Sequence, residues 1–348
     1  MKTIGYAAHS SDAHMVPYHF ERRNLRDNDV AIEILYSGVC HSDLHTVNGD
    51  WGDQPYPLVP GHEIVGKVIE VGADVKNYEV GQHVAVGCMV DSCQSCDQCD
   101  HGEEQYCRNG MTPTYGAPDR ISGEITQGGY SKHIVVREEF VLRVPESLDL
   151  ARTAPILCAG ITTFSPLRTW GVKAGSRVGV IGLGGLGHMA VKLAVAMGAE
   201  VTVLSRSNSK EETAKALGAK GILASTDENA MKQAGSSLDL IIDTVPVKHD
   251  VDVYMPLLDI DGTLAIVGQV GPMEDFMTVP LVMGRRRVAG SLIGGIKETQ
   301  EVLDFCAEHD IHPECKMIKA DEVNDAFASL AKGDVAHRYV IDMASLSV

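Results

Sequence analysis

A chain of 348 residues exceeds what one ordinary hydrophobic core serves, so two domains are expected; 44% apolar residues without repeats place it among globular proteins. The formal charge of −17 argues against nucleic acid or anionic lipid as partners, although a local basic cluster can override the global sign. The opening MKTIGYAAHSSDAH has no apolar run to serve as a signal peptide, and the greasiest stretch, VGVIGLGGLGHMAVKLAVAMGA, is broken by His188, Lys192 and glycines. Neither export nor a membrane span is expected, and the expected address is the cytoplasm.

In chain order, DVAIEILYSG, EIVGKVIEVG, QHVAVGC and YSKHIVVRE are short alternating segments punctuated by glycine. They predict a β-rich domain of partly closed sheets. Between them, SGVCHSDLH and PGHEIVG hold ligand-type residues: Cys40, His41, Ser42, Asp43 and His45, then His62 and Glu63. Trp51 lies between these two stretches and serves equally well as loop packing or as a pocket wall.

The segment CMVDSCQSCDQCDHGEEQYC follows, with five of the nine cysteines, four of them spaced C-x2-C-x2-C-x7-C. In a reducing compartment such a cluster reads as a metal site before disulfides. Thiolates are soft ligands, and a tetrahedral four-sulfur set suits zinc. Cys93, Cys96, Cys99 and Cys107 would close around one ion and leave no position for substrate, which makes the site structural. An iron–sulfur cluster or reactive thiols are the competing readings. Cys88 falls outside the spacing and reads as a small buried apolar residue.

Cys158 appears in PILCAGITT, and from Ser176 the chain reads SRVGVIGLGGLGHMAVKLAVAMGAEVTVLSRSNSKEE. RVGVIG is a buried strand, HMAVKLAVAMG is helical with its end at Gly198, and AEVTVLS is the next strand. Gly182, Gly184 and Gly187, with Leu183, Gly185 and Leu186 between them, thus form a strand-to-helix turn suited to a dinucleotide pyrophosphate. At the end of the second strand stand Ser205, Arg206 and Ser207, with Lys210 nearby, while Glu200 lies at the strand's beginning. Hydroxyls and a guanidinium bind a 2′-phosphate that a carboxylate would repel, so NADP(H) is expected over NAD. A solvated loop is the plain alternative for Arg206 and Lys210. LDLIIDTV, GTLAIVG and RVAGSLIGG add strands, predicting a doubly wound parallel sheet. KMIKADEVNDAFASLAKGDVAHRYVIDM then reads as helix and strand returning to the first domain. The expected division is residues 1–152 with 296–348, and a Rossmann domain over 153–295.

Taken together, GVCHSDLH, PGHEIVG, the four-cysteine loop, LCAGITTFSPL, GLGGLG and GSLIGG make the whole chain resemble the zinc-dependent medium-chain alcohol dehydrogenases, in particular the cinnamyl alcohol dehydrogenase branch of NADP-dependent aldehyde reductases. The resemblance implies an α/β fold with a GroES-like catalytic domain and a Rossmann domain. It implies Cys40, His62 and Cys158 as ligands of a catalytic zinc, Glu63 as an exchangeable fourth ligand, and Asp43 as the group orienting His62. Ser42 and His45 would relay a proton between substrate oxygen and solvent. Thr162, Thr244, Gly268, Ser291, Leu292 and Ile293 would approach the cofactor, Arg338 its phosphates, and Trp51 with Ile293 would line the substrate pocket. Two zinc ions per subunit, an aldehyde or alcohol substrate and a homodimer follow from the same resemblance, with RVAGSLI as the pairing edge. An NAD-linked polyol or secondary-alcohol dehydrogenase of the same fold is the nearest rival. A non-catalytic, zinc-stapled NADPH-binding scaffold is the rival of another class, and it has no need of the dispersed ligand set.

Overall fold

The computed structural model describes residues 1–11, 13–268, 270–333, 335 and 337–346. Its contacts gather into two compact units, residues 1–158 with 294–348, and residues 159–293. The first seam thus falls at Cys158 rather than 152, because the 3₁₀ turn Ala154–Leu157 is wholly buried and packs on strands Asp29–Val39, Ile64–Val71 and His83–Val86.

The hub of the first unit is the strand Asp29–Val39. It pairs antiparallel with Ile64–Val71, His133–Arg137 and Arg338–Asp342, within a sheet that also takes in His83–Val86, Leu142–Arg143 and Cys315–Lys319. Val30, Ala31 and Ile32 along it have no exposed surface, because neighbours cover both faces. The strand ends at Val39 and hands the chain to the helix His41–Asn48. The C-terminal return opens with a strand, Cys315–Lys319, where the sequence predicts helix, and then runs as expected through the helix Val323–Ala331 to Arg338–Asp342 in this sheet.

The second unit is a six-stranded parallel sheet in the order Gly221–Ala224, Glu200–Ser205, Arg177–Ile181, Leu238–Asp243, Leu258–Ile266, Arg287–Gly290. That is the doubly wound order with its reversal beside the first strand, where such sheets bind dinucleotides. Two details differ from expectation. Gly221–Ala224 is not read from the sequence because its four residues, GILA, are too short a run to separate a strand from a loop. RVAGSLIGG is a strand only over Arg287–Gly290. The helix Gly185–Ala196 buries Met189, Ala190, Val191, Leu193 and Ala194 completely, and Gly198 (φ 84°) turns the chain after it.

One buried cation helps to fix the first unit. Arg22 donates through Nε to the His133 carbonyl (2.8 Å), through Nη2 to the Gly128 carbonyl and the Ser131 Oγ (both 2.7 Å), and through Nη1 to the Gln127 carbonyl. These four acceptors are uncharged, and burial lowers the guanidinium pKa to about 9. Arg22→Ala is expected to lower stability by about 3 kcal/mol, because buried carbonyls lose their donor. A thermal melt should show a drop of roughly 5–10 °C.

Candidate active site and metal centres

The two ligand sets lie in the first unit. In the cysteine loop the sulfurs of Cys93, Cys96, Cys99 and Cys107 all lie within 4.8 Å of one another. Cys96–Cys99 and Cys93–Cys99 are 3.6 and 3.9 Å apart. Four sulfurs at a Zn–S distance of about 2.3 Å in a tetrahedron stand about 3.8 Å apart, so the spacing fits that ion. Backbone N–H groups already point at the sulfurs: Cys93 donates to Cys107 Sγ and Arg108 to Cys96 Sγ, each at 3.4 Å. The Ser95 backbone, then the Asn109 and Ser95 side chains, lower the Cys93 thiol to about 5, into the range of a ready thiolate.

The dispersed set converges as well. Cys40, His62, Glu63 and Cys158 are all buried and offer donor atoms within 4.8 Å of one another. Cys40 Sγ and Cys158 Sγ are 3.8 Å apart, again the edge of a thiolate–zinc tetrahedron. Two sulfurs and an imidazole beside a carboxylate suit zinc in an open rather than a closed site. Cys40 caps the helix His41–Asn48, its sulfur 3.5 Å from the Ser42 N–H. The cap is reciprocal, since Asp43 Oδ2 accepts the Cys40 N–H at 3.0 Å. The thiol of Cys158 and then Arg338 hold the Cys40 thiol well below its ordinary pKa.

Asp43 has no exposed surface and lies 2.9 Å from His62 Nδ1 through Oδ1, which leaves Nε2 of the ring for a metal. Glu63, equally buried, pairs through Oε1 with the Arg338 guanidinium, while its Oε2 has no hydrogen-bond partner. Burial pushes the Glu63 carboxyl up, with Arg338 pulling it back. Arg338, expected near cofactor phosphates, is thus 5% exposed and engaged at the ligand set.

Ser42 and His45 share the helix His41–Asn48 at positions three apart, on one face. His45 Nδ1 lies 2.7 Å from Asp50 Oδ2, and its ring is 5.4 Å from that of Trp51. Asp50 was missed from the sequence. Its signal is Gly49 (φ 76°), the left-handed helix cap that turns the chain back so that Asp50 N–H reaches the His45 carbonyl at 3.0 Å. Trp51 is 42% exposed.

The dinucleotide residues lie in the second unit. Gly184 caps the helix Gly185–Ala196, and Gly187 packs so closely that a Cβ there would collide with the Gly182 carbonyl. Leu183 is buried beside it. Thr244 Oγ1 donates to the Ile181 carbonyl at 2.7 Å, and Gly268 N–H reaches Asp243 O at 3.0 Å. Glycine loop, Thr244 and Gly268 therefore follow the C-terminal ends of three neighbouring strands. Thr162 is buried in the helix Ala159–Thr169 of the same unit. Ser205 closes the strand Glu200–Ser205; Arg206, Ser207 and Lys210 beyond it are exposed. Glu200 is engaged at the far end by Lys220, 2.6 Å away. Ser291 N–H binds the Ile266 carbonyl at 3.2 Å, Leu292 is 45% exposed, and Ile293 has a positive φ of 38°.

Two family models match the chain. Residues 26–146 match the alcohol dehydrogenase GroES-like domain, and residues 185–308 the zinc-binding dehydrogenase domain. The chain is 51% identical over 348 residues, 99% of each chain, to NADP-dependent alcohol dehydrogenase C 1 of Mycolicibacterium smegmatis. It is 48% identical to the aldehyde reductase YahK of Escherichia coli, covering 100% of both. Among solved structures, a cinnamyl alcohol dehydrogenase of Sorghum bicolor superposes with a TM-score of 0.95 at 42% identity, over 100% of this chain and 99% of that one. The Helicobacter pylori enzyme of that type, complexed with NADP(H), gives 0.91 at 43% identity with the same coverage.

Elemental analysis of the purified protein is expected to give two zinc ions per chain. Cys158→Ala should retain one and Cys96→Ala the other, and Cys96→Ala should also melt at a lower temperature because its ion staples a loop.

Proposed function

The chain belongs to the zinc-binding alcohol dehydrogenase family, and from that premise we propose that it is an NADP-dependent oxidoreductase of primary alcohols and aldehydes, working chiefly as an aldehyde reductase. The observation that carries the reading is the buried Cys40–His62–Cys158 triad, whose sulfurs stand 3.8 Å apart. A scaffold needs only the four-cysteine staple. When bound, zinc supplies Lewis-acid polarisation of the substrate oxygen and the nicotinamide supplies the hydride.

The protein's own groups do the rest. Cys40, His62 and Cys158 hold the site out of water, and Asp43 fixes the tautomer of His62. Arg338 holds the Glu63 carboxylate at the edge of the set. Ser42 and His45 pass the proton, with Asp50 orienting the imidazole through Nδ1 so that the partly exposed ring can exchange it with solvent. Trp51 beside His45 offers an aromatic wall for the substrate.

The preference for NADPH rests on Ser205, Arg206, Ser207 and Lys210 at the end of the second strand. The relatives named for NADP dependence, and the neighbour complexed with NADP(H), support it. The cytoplasm is the proposed address, since six of the nine cysteines fall in the two ligand sets, where thiolates have to stay reduced to hold an ion.

A homodimer belongs to the same proposal. Among the described residues no strand pairs with the outer side of Arg287–Gly290, and Ile260, Val282 and Met283 on the same unit are 67%, 78% and 80% exposed. Sedimentation should give twice the chain mass; a monomer would remove this part.

With benzaldehyde as substrate, kcat/KM for NADPH should exceed that for NADH at least tenfold. Arg206→Ala should lower the NADPH value roughly 10–100-fold while leaving NADH nearly unchanged, as expected of a lost phosphate contact. Equal turnover with NADH would overturn the cofactor assignment.

A further inference from the structure

Tyr130, the first residue of YSKHIVVRE, has a side chain that is 1% exposed and a hydroxyl that donates to Asp43 Oδ2 at 2.9 Å. Asp43 accepts at both oxygens: from the Gly61 N–H (3.1 Å) and His62 Nδ1 (2.9 Å) at Oδ1, and from the Cys40 N–H (3.0 Å) and Tyr130 at Oδ2. A carboxylate without solvent contact survives only with its lone pairs filled. Two of these donors sit on the backbone beside Cys40 and His62. Tyr130 reaches the same carboxylate from a distant stretch of chain.

That stretch is held in register with the ligand segment. Gly128 N–H donates to the Val59 carbonyl (2.6 Å), Gly129 to Gly61 (2.8 Å) and Tyr130 to Pro60 (3.0 Å). Arg22 ties the same stretch from behind through Gly128, Ser131 and His133. Gly61 has φ 105°, and a Cβ there would come within 2.5 Å of Tyr130 Cδ1, so the ring lies flush on the backbone just before His62. The phenol is therefore placed as rigidly as the ligand it supports.

We propose that Tyr130 is a positioning residue of the dispersed metal site, holding Asp43 in the orientation that aims His62 at the ion. Without the hydroxyl, Asp43 Oδ2 loses a donor, the carboxylate turns more freely, and His62 holds its ring less firmly. Loss of such an outer partner weakens metal affinity roughly 10–100-fold. The proposal rests on the reading of Cys40, His62 and Cys158 as zinc ligands.

The test is Tyr130→Phe in the zinc-loaded holoenzyme. This change removes one oxygen and keeps the ring that packs on Gly61. Zinc transfer to a chromogenic chelator is followed for both ions, with Cys158→Ala marking the phase that belongs to the four-cysteine loop. The expected result is release from the dispersed site about 10–100-fold faster, unchanged release from the loop, a melting temperature close to wild type, and a lower kcat at unchanged KM for NADPH. Release at the wild-type rate would overturn the proposal, as would acceleration of both ions together with a lowered melting temperature, the mark of a merely structural tyrosine. A wild-type protein holding only the loop ion would instead overturn the ligand reading beneath it.

Discussion

Two sulfurs 118 residues apart in the chain stand 3.8 Å from each other, and much of the first unit can be understood as what holds them there. Cys40 arrives at the end of the central strand Asp29–Val39, and Cys158 follows a buried 3₁₀ turn packed on that strand. Bringing thiols together in a water-poor place is unfavourable once they ionise, so neighbouring charge has to answer them. Arg338 supplies positive charge beside Cys40 and pairs with Glu63, while Asp43 orients the imidazole of His62 through Nδ1. The result is a compact buried network in which each polar group has its partner close by.

Features with a local spacing could be read directly from the chain. The four-cysteine loop declares itself because its ligands fall within one short segment, and the glycine turn because a buried strand precedes it and an apolar helix follows. Features that depend on distant segments meeting cannot be read from spacing, and the dispersed set Cys40, His62 and Cys158 is expected only through the family resemblance. Arg338 meets Glu63 from 275 positions away, and nothing in RYVID distinguishes an arginine bound for a carboxylate from one bound for a phosphate. Tyr130 looks like any aromatic at a strand start until the stretch 127–131 is seen paired to 59–61. Asp50 lies between these cases, since the glycine before it hints at a reversal without saying which side chain it will meet.

Burial decides how the charges behave more than their number does. The chain is strongly acidic overall, yet Arg206 and Lys210 stand exposed at the end of the second strand of the parallel sheet, where their field is local and the global charge matters little. Arg22 shows the opposite case: enclosed and answered by carbonyl dipoles, it acts as a bracket for backbone.

The seam after Cys158 also bears on how such chains can be recombined. Every donor of both metal sets, together with Arg338, Asp43 and Tyr130, lies outside residues 159–293. The second unit, which carries the glycine turn and the exposed Arg206 and Lys210, is a single uninterrupted stretch between two cut points. Exchanging it for the matching stretch of a relative would leave every metal donor on its native part of the chain.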